Sequence, residues 1–416
     1  MAPLEPWEKA IVDIDVFSQT THGERTCTDC HNGVQASPEK DVAHEGLISS
    51  PSAEPDKYCG ECHQEQTETY PFALHSTQEG YWTAINARST PEDHPALEEM
   101  FGNHCANCHT TCGECHVSQP KNVGGGLFTG HVFEKTPPMT RSCTACHGSR
   151  VGNEFLGKNK GFPADVHFRQ GRMNCVKCHE GTELHGLVTD AESADTHRYG
   201  DTEFPKCIDC HPTTATGGDE NPMHQSHGDQ LSCQVCHSVT YTSCDGCHVA
   251  ISEKSGNPFF ATEATYPTFM IGRNPNPTDG RPYKFVPVRH VPLTTTSYEF
   301  YGEKLLSNFN ALPTWVYATP HNIQRNTPQN ESCEICHSGD ASIFLTADKV
   351  NADELEANRS VVMDSFPPSI ELILRASKMP STHSEFESEM CAGCHTDLPT
   401  SHETYTNCIG CHKLEQ

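Results

Sequence analysis

The chain has little of what an ordinary globular core is made from. Leu, Ile, Val and Phe together number 71 of 416 residues, about 17%. Positive charge is scarce too, with 28 Lys and Arg against 55 Asp and Glu and a formal net charge of -27. A composition of this kind is typical of chains that cannot bury enough apolar surface to fold unaided. The acidity excludes the basic patch that nucleic-acid phosphates require. No run approaches 18 consecutive apolar residues, so no membrane-spanning helix is expected. The first residues, Met1 to Lys9, lack the basic start and apolar stretch of a secretion signal. If this chain folds, something other than aliphatic side chains fills its centre.

Cysteine and histidine are abundant instead, at 24 and 27 residues. Every Cys lies in a Cys-x-x-Cys-His motif, and twelve motifs account for all of them. Motifs one to four are Cys27, Cys30, His31; Cys59, Cys62, His63; Cys105, Cys108, His109; and Cys112, Cys115, His116. Motifs five to eight are Cys143, Cys146, His147; Cys175, Cys178, His179; Cys207, Cys210, His211; and Cys233, Cys236, His237. Motifs nine to twelve are Cys244, Cys247, His248; Cys333, Cys336, His337; Cys391, Cys394, His395; and Cys408, Cys411, His412. At these residue frequencies chance would supply about 0.1 such motif.

The spacing has a chemical reason. It marks c-type haem attachment, in which two cysteines three apart form thioethers with the two vinyl groups of one haem. The adjacent His then lies under the ring and supplies the proximal ligand to iron. Zinc ribbons need pairs of Cys pairs and would not place His after the second Cys twelve times. A thioredoxin-like redox motif occurs once per domain. A disulfide framework leaves the recurring His unexplained.

On these motifs the chain resembles multihaem c-type cytochromes over its whole length, at one motif per about 35 residues. The density is similar to that of the periplasmic and outer-surface electron-transfer cytochromes of respiring bacteria and archaea. The resemblance implies twelve covalent haem c groups and a fold that is mostly irregular loop with short α-helices and little β structure. The core would then be the twelve closely packed haems themselves. It also implies redox partner proteins or an extracellular electron acceptor, and self-association into filaments is a known special case.

Fifteen His lie outside the motifs, against twelve irons. His22, His44, His75, His131, His167, His185, His197, His227, His290, His321, His383 and His402 are the expected distal ligands. Many sit 5 to 16 residues before a motif. In similar proteins such a His ligates a neighbouring haem and so cross-links the fold. His94, His104 and His224 are the expected spares. His104 abuts Cys105, and His224 is only three residues from His227. With His in surplus, none of the nine Met is needed as an axial ligand.

Five segments are expected. Residues 1–96 carry haems one and two, 97–190 haems three to six, 191–248 haems seven to nine, and 333–416 haems ten to twelve. Between them, 249–332 is a haem-free insert with ten Pro, many aromatics and the alternating stretch Lys284 to Val291, which suggests short edge strands. Its cations Arg273, Arg281, Lys284 and Arg289 could meet haem propionates, although a structural flap over haem faces is the plainer reading. Thr67 to Ala87 has helical spacing and carries His75, and Val350 to Ser377 is read as mostly helical. Motifs three and four are two residues apart and motifs eight and nine six apart, so each pair is expected to lie in close contact.

Iron held by two His has no open site and shuttles electrons at low potential. The expected function is long-range electron transfer through twelve bis-His haems, as an extracellular conduit or a filament subunit in which His22 ligates a haem of the next copy. The alternative is an oxidoreductase of the nitrite, hydroxylamine or tetrathionate type with one open haem. No motif here replaces His by Lys, as the pentahaem nitrite reductases do. A haem store is disfavoured by the paired motifs. Haem is attached to such motifs outside the cytoplasm, so the expected location is periplasmic or extracellular, the export signal having been removed. With about -1 per oxidised haem, the net charge would deepen towards about -39.

Overall fold

The computed structural model describes residues 4–106, 110–198, 200, 204–214, 221–339 and 342–368, together with two two-residue strands near the C-terminus. Within them the chain is mostly irregular, with short helices and a few short sheets. The longest helices are Glu79–Arg88, one residue after the short helix Leu74–Thr77, and His94–His104, which follows a 3-10 turn. Helical structure over Thr67 to Ala87 is present as several short pieces, one of which, Leu74–Thr77, carries His75.

Most described motifs are a single helical turn, and the local sequence shows why. Motif one occupies the helix Cys27–His31, with Thr26 as N-cap, and the Asp29 carboxylate accepts the Thr26 backbone N–H at 2.8 Å. Motif four repeats this with Thr111 and Glu114, at 3.0 Å. In motif seven, Asp209 accepts the Lys206 N–H at 2.9 Å. An acid just before the second Cys therefore accepts the backbone N–H of the capping residue at the helix start. One turn then places the two cysteines on one side with His beside them.

Motif nine departs from this pattern. Its acid, Asp245, precedes a Gly246 at φ 66°, a left-handed conformation that interrupts a right-handed helix. The motif is instead extended across β1 (Tyr241–Asp245) and β2 (His248–Ile251). β2 pairs antiparallel with β3 (Pro258–Ala261), and β1 with β4 (Ala264–Thr268). A strand advances about 3.3 Å per residue. Motif nine is thus extended where motif eight is a helical turn.

The insert does form short strands, but its alternating stretch is not at an edge. β6 (Phe285–His290) is the centre of a three-stranded antiparallel sheet between β5 (Met270–Arg273) and β7 (Trp315–Tyr317). Pro287 has no N–H to donate, and its carbonyl accepts the Ala318 N–H at 2.8 Å. The expected helix after Val350 is absent across its described part, where residues 351–361 form consecutive turns. Val350, Val361 and Val362 pack against Val286, Val288 and Leu345 of the sheet region instead. The remaining strands, β8 (Lys378–Met379) and β9 (Lys413–Leu414), pair in parallel.

Apolar packing is unevenly spread. Three clusters gather around Leu97 and Tyr298, around Val286 and Val288, and around Ile271 and Phe344. Among the described residues before Ile85 and between Met100 and Val235, only Ala73, Val117 and Phe128 are buried apolar side chains. That long stretch, which carries most of the described motifs, has no aliphatic core of its own. It surrounds empty volume: one cavity of about 2510 Å³ is bordered by His167, His179, His211, His237 and His337, from five different segments. A pocket for one ligand holds roughly 300–1,000 Å³. The cavity has room for several large apolar groups.

Attachment of those groups should therefore be inseparable from folding. The chain produced in cells that cannot attach haem is expected to give a disordered circular dichroism spectrum and no cooperative melting. A cooperative, near-native spectrum from haem-free chain would refute this.

Candidate metal centres

The described imidazoles meet in pairs. Ring centres are 6.1 Å apart for His22 and His63, 5.8 Å for His31 and His131, and 6.2 Å for His75 and His147. They are 6.1 Å apart for His116 and His185 and for His167 and His211, and 6.3 Å for His179 and His321. His224 with His237 and His227 with His337 are again at 6.1 Å. Each of the eight pairs joins one motif His to one His from outside the motifs.

That separation has a simple physical meaning. An imidazole binds a metal at about 2.0 Å and its nitrogen lies about 1.1 Å from the ring centre, so two imidazoles on opposite sides of one ion sit about 6.2 Å apart. The rings are neither stacked in contact nor hydrogen-bonded to each other. Among the described residues no group of three or more His, Cys, Asp or Glu side chains could hold a metal ion by itself. A porphyrin needs no more than the pair, since it supplies the other four nitrogens.

Second contacts turn many of these rings so that Nε2 faces its partner. Nδ1 of His31 bonds the Ile48 carbonyl at 2.8 Å, that of His116 the Glu134 carbonyl at 2.7 Å and that of His337 the Pro368 carbonyl at 2.8 Å. On the other side, Nδ1 of His321 bonds the Thr319 carbonyl at 2.7 Å, and that of His227 the Met223 carbonyl at 3.1 Å. Nδ1 of His179 meets the Glu183 carboxylate at 3.0 Å, and Nδ1 of His167 meets Asp165 at 3.2 Å. Such outer partners set ring orientation and tautomer in metal-bound His.

Environment favours the neutral, ligating form. Burial, with His147 nearby, holds His75 down to about 4, and burial with His179 nearby does the same for His321. His75 has accessible surface because it borders the cavity, although protein surrounds most of it. The two rings bonded to carboxylates move the other way. The Glu183 and Asp165 hydrogen bonds raise His179 and His167.

The cysteines also fit. Free Cys is among the most buried residue types. None of the nineteen described here is fully buried, and none is in a disulfide. Cysteines of different motifs lie within electrostatic reach of one another. Cys59 faces Cys112 and Cys30, Cys115 faces Cys143, and Cys178 faces Cys210. The thiols of Cys143 and Cys175 are neighbours, as are those of Cys207 and Cys233, and Cys236 lies beside Cys336.

Seven of the twelve expected distal positions fall in these pairs. His22, His75, His131, His167, His185, His227 and His321 stand opposite motif imidazoles, with His22 opposite His63 of motif two in the same chain. His224 is a correction. It was read as a spare because it is three residues from His227, yet both rings lie on the helix Pro222–His227 and face motifs eight and ten. Residues three apart on a helix share a face and can serve two adjoining centres.

His290 is a second correction. Its Nε2 bonds the Glu354 carboxylate at 2.8 Å, and its Nδ1 is 3.6 Å from Asp245, so its ring nitrogens face acids. Its position in the sequence conveys nothing about the buried Glu354 that it meets 64 residues away. His104, a spare, accepts or donates at 2.8 Å with Tyr301. His94 has a buried Nε2 without a partner. His44 is exposed and His197 lies beside Arg198 and Arg281, and neither stands in one of the eight pairs. His109, motifs eleven and twelve, His383 and His402 lie outside the described residues.

No family model, curated protein or solved structure matches the chain.

Two substitutions test the pairs. His321→Ala should convert about one iron in twelve from low to high spin in electron paramagnetic resonance, whereas His290→Ala should leave the low-spin set intact. Equal spectra from the two would contradict the assignment. Glu183→Gln removes a carboxylate that makes His179 a more basic ligand. It should raise the midpoint potential of one haem in spectroelectrochemical titration, and a fall or no change would count against it.

Proposed function

We propose that this chain is a multihaem c-type cytochrome that moves electrons through a line of bis-His haems. The eight cross-paired imidazoles at 5.8–6.3 Å carry this reading. They join exactly the His type that the attachment motifs require to a second His from elsewhere in the chain. Each haem supplies an iron that alternates between two oxidation states without binding substrate.

The protein's own contribution is position and potential. Motif cysteines pin each ring at one edge, and paired His hold it on both faces. Carbonyls and carboxylates behind those His fix their direction. Neighbouring cysteines then bring successive rings edge to edge. Their contacts run from motif one to two, four, five, six, seven, eight and ten. Tunnelling falls steeply with edge-to-edge distance, so such contact is what a current needs. Among the described residues no helix is long and apolar enough to cross a membrane. A periplasmic or extracellular conduit, exchanging electrons with redox proteins or an external acceptor, suits these features, and self-association into a filament would extend the line.

Two measurements check the reading on the purified protein. Denaturing mass spectrometry should exceed the 45.8 kDa of the chain by the mass of twelve haems. Low-temperature electron paramagnetic resonance of the oxidised protein should show only low-spin iron. A mass equal to the bare chain would sink the cofactor assignment. One high-spin iron in twelve would replace the conduit with an enzyme, to be assayed with nitrite, hydroxylamine and tetrathionate.

A further inference from the structure

We propose that motifs three and nine form a side arm, and that the electron line passes directly from motif two to motif four and from motif eight to motif ten. This rests on the reading above and adds the route.

Both bypasses are visible as contacts. Ser52, in the turn before motif two, bonds Thr111 at 2.8 Å, and Thr111 caps the helix of motif four. A Cβ on Gly113 of motif four would come within 2.9 Å of the Ser52 hydroxyl, so the two segments touch. Cys59 and Cys112 lie in the same contact. At the second bypass, Cys236 and Cys336 pack on one apolar cluster, that of Val235, Ile271, Phe344 and Met363. The Cys236 carbonyl accepts hydrogen bonds from Thr327 and from Asn330, just ahead of motif ten. The imidazoles facing motifs eight and ten come from a single helical turn.

Motifs three and nine meet elsewhere. Tyr298 lies beside both Cys105 and Cys247, and Cys105 packs on the Leu97, Met100 and Tyr298 cluster. Only Thr110 and Thr111 separate motif three from motif four. The arm therefore hangs from motif four, with motif nine at its far end, where Gly246 and the extended β1 have delivered it. Among the described motifs, a branch gives the line a third end besides motifs one and ten.

Iron positions from anomalous scattering by crystals of the holoprotein test the route. The expected shortest path connects irons one, two, four, five, six, seven, eight and ten, with three and nine adjacent to each other. Iron three lying between two and four, or iron nine between eight and ten, would overturn it. Fewer than twelve irons would instead sink the reading on which it rests.

A transport measurement adds a functional arm. Every native Cys belongs to a motif, so Gln35→Cys and Glu331→Cys, at exposed sites beside motifs one and ten, introduce the only thiols for anchoring single molecules between gold contacts. Removing motif six by Cys175→Ala with Cys178→Ala should abolish most of the end-to-end conductance. Removing motif nine by Cys244→Ala with Cys247→Ala should cost much less. Equal losses would refute the side arm, and if either variant fails to fold the iron positions decide alone.

Discussion

Two imidazoles facing each other across about 6 Å, with nothing of the polypeptide between them, are the constraint on which the rest of the molecule depends. The spacing is that of two imidazoles on opposite sides of one metal ion. The arrangement becomes favourable when an ion and a flat apolar ring fill it. Several pairs also join segments far apart in sequence: His321 to motif six, His75 to motif five, His131 to motif one. Eight such ties do for this chain what a continuous aliphatic core does for others.

The composition follows from that. With few large aliphatic residues, the chain places its apolar clusters mainly around the three-stranded sheet and the helices Glu79–Arg88 and His94–His104. Elsewhere backbone runs as loop from one motif to the next, because loops alone can bring a motif and a distant His to opposite faces of one flat group. The acidic surplus has a place in the same scheme. Asp29, Glu114 and Asp209 cap motif helices, while Glu183 and Asp165 orient imidazoles. These carboxylates are structural parts of the centres and not merely solvated charge.

Sequence alone revealed the attachment motifs, the surplus of His and the loop-rich architecture, because each is written as residue type and spacing. Seven of the twelve His read as distal ligands stand in the imidazole pairs. Sequence failed where three-dimensional proximity decides. His224 and His227 are redundant as sequence neighbours but serve different motifs once they share a helical turn. His290 resembles any other His in an apolar strand until Glu354 arrives from 64 residues away. The helical pattern after Val350 yields to packing of Val361 and Val362 against the sheet. Motif nine had a readable signal that was passed over: glycine in place of the capping acid, which turns one helical turn into two strands.

Where the pairs hold haems, as proposed, cross-pairing would also tie conduction to stability. A His that holds one ring is borne on the loop that leads to another, so loosening any pair both opens an iron and frees a segment between two centres. His167 is an example: it precedes motif six, faces motif seven, and is oriented by Asp165, whose carboxylate also accepts the Ile323 N–H beside His321. One aspartate thus supports ligands of motifs six and seven together. Rigid spacing between neighbouring centres is what tunnelling demands, and here it is produced by the same bonds that fold the chain. Selection for a dependable current and selection for a folded protein would act on the same side chains.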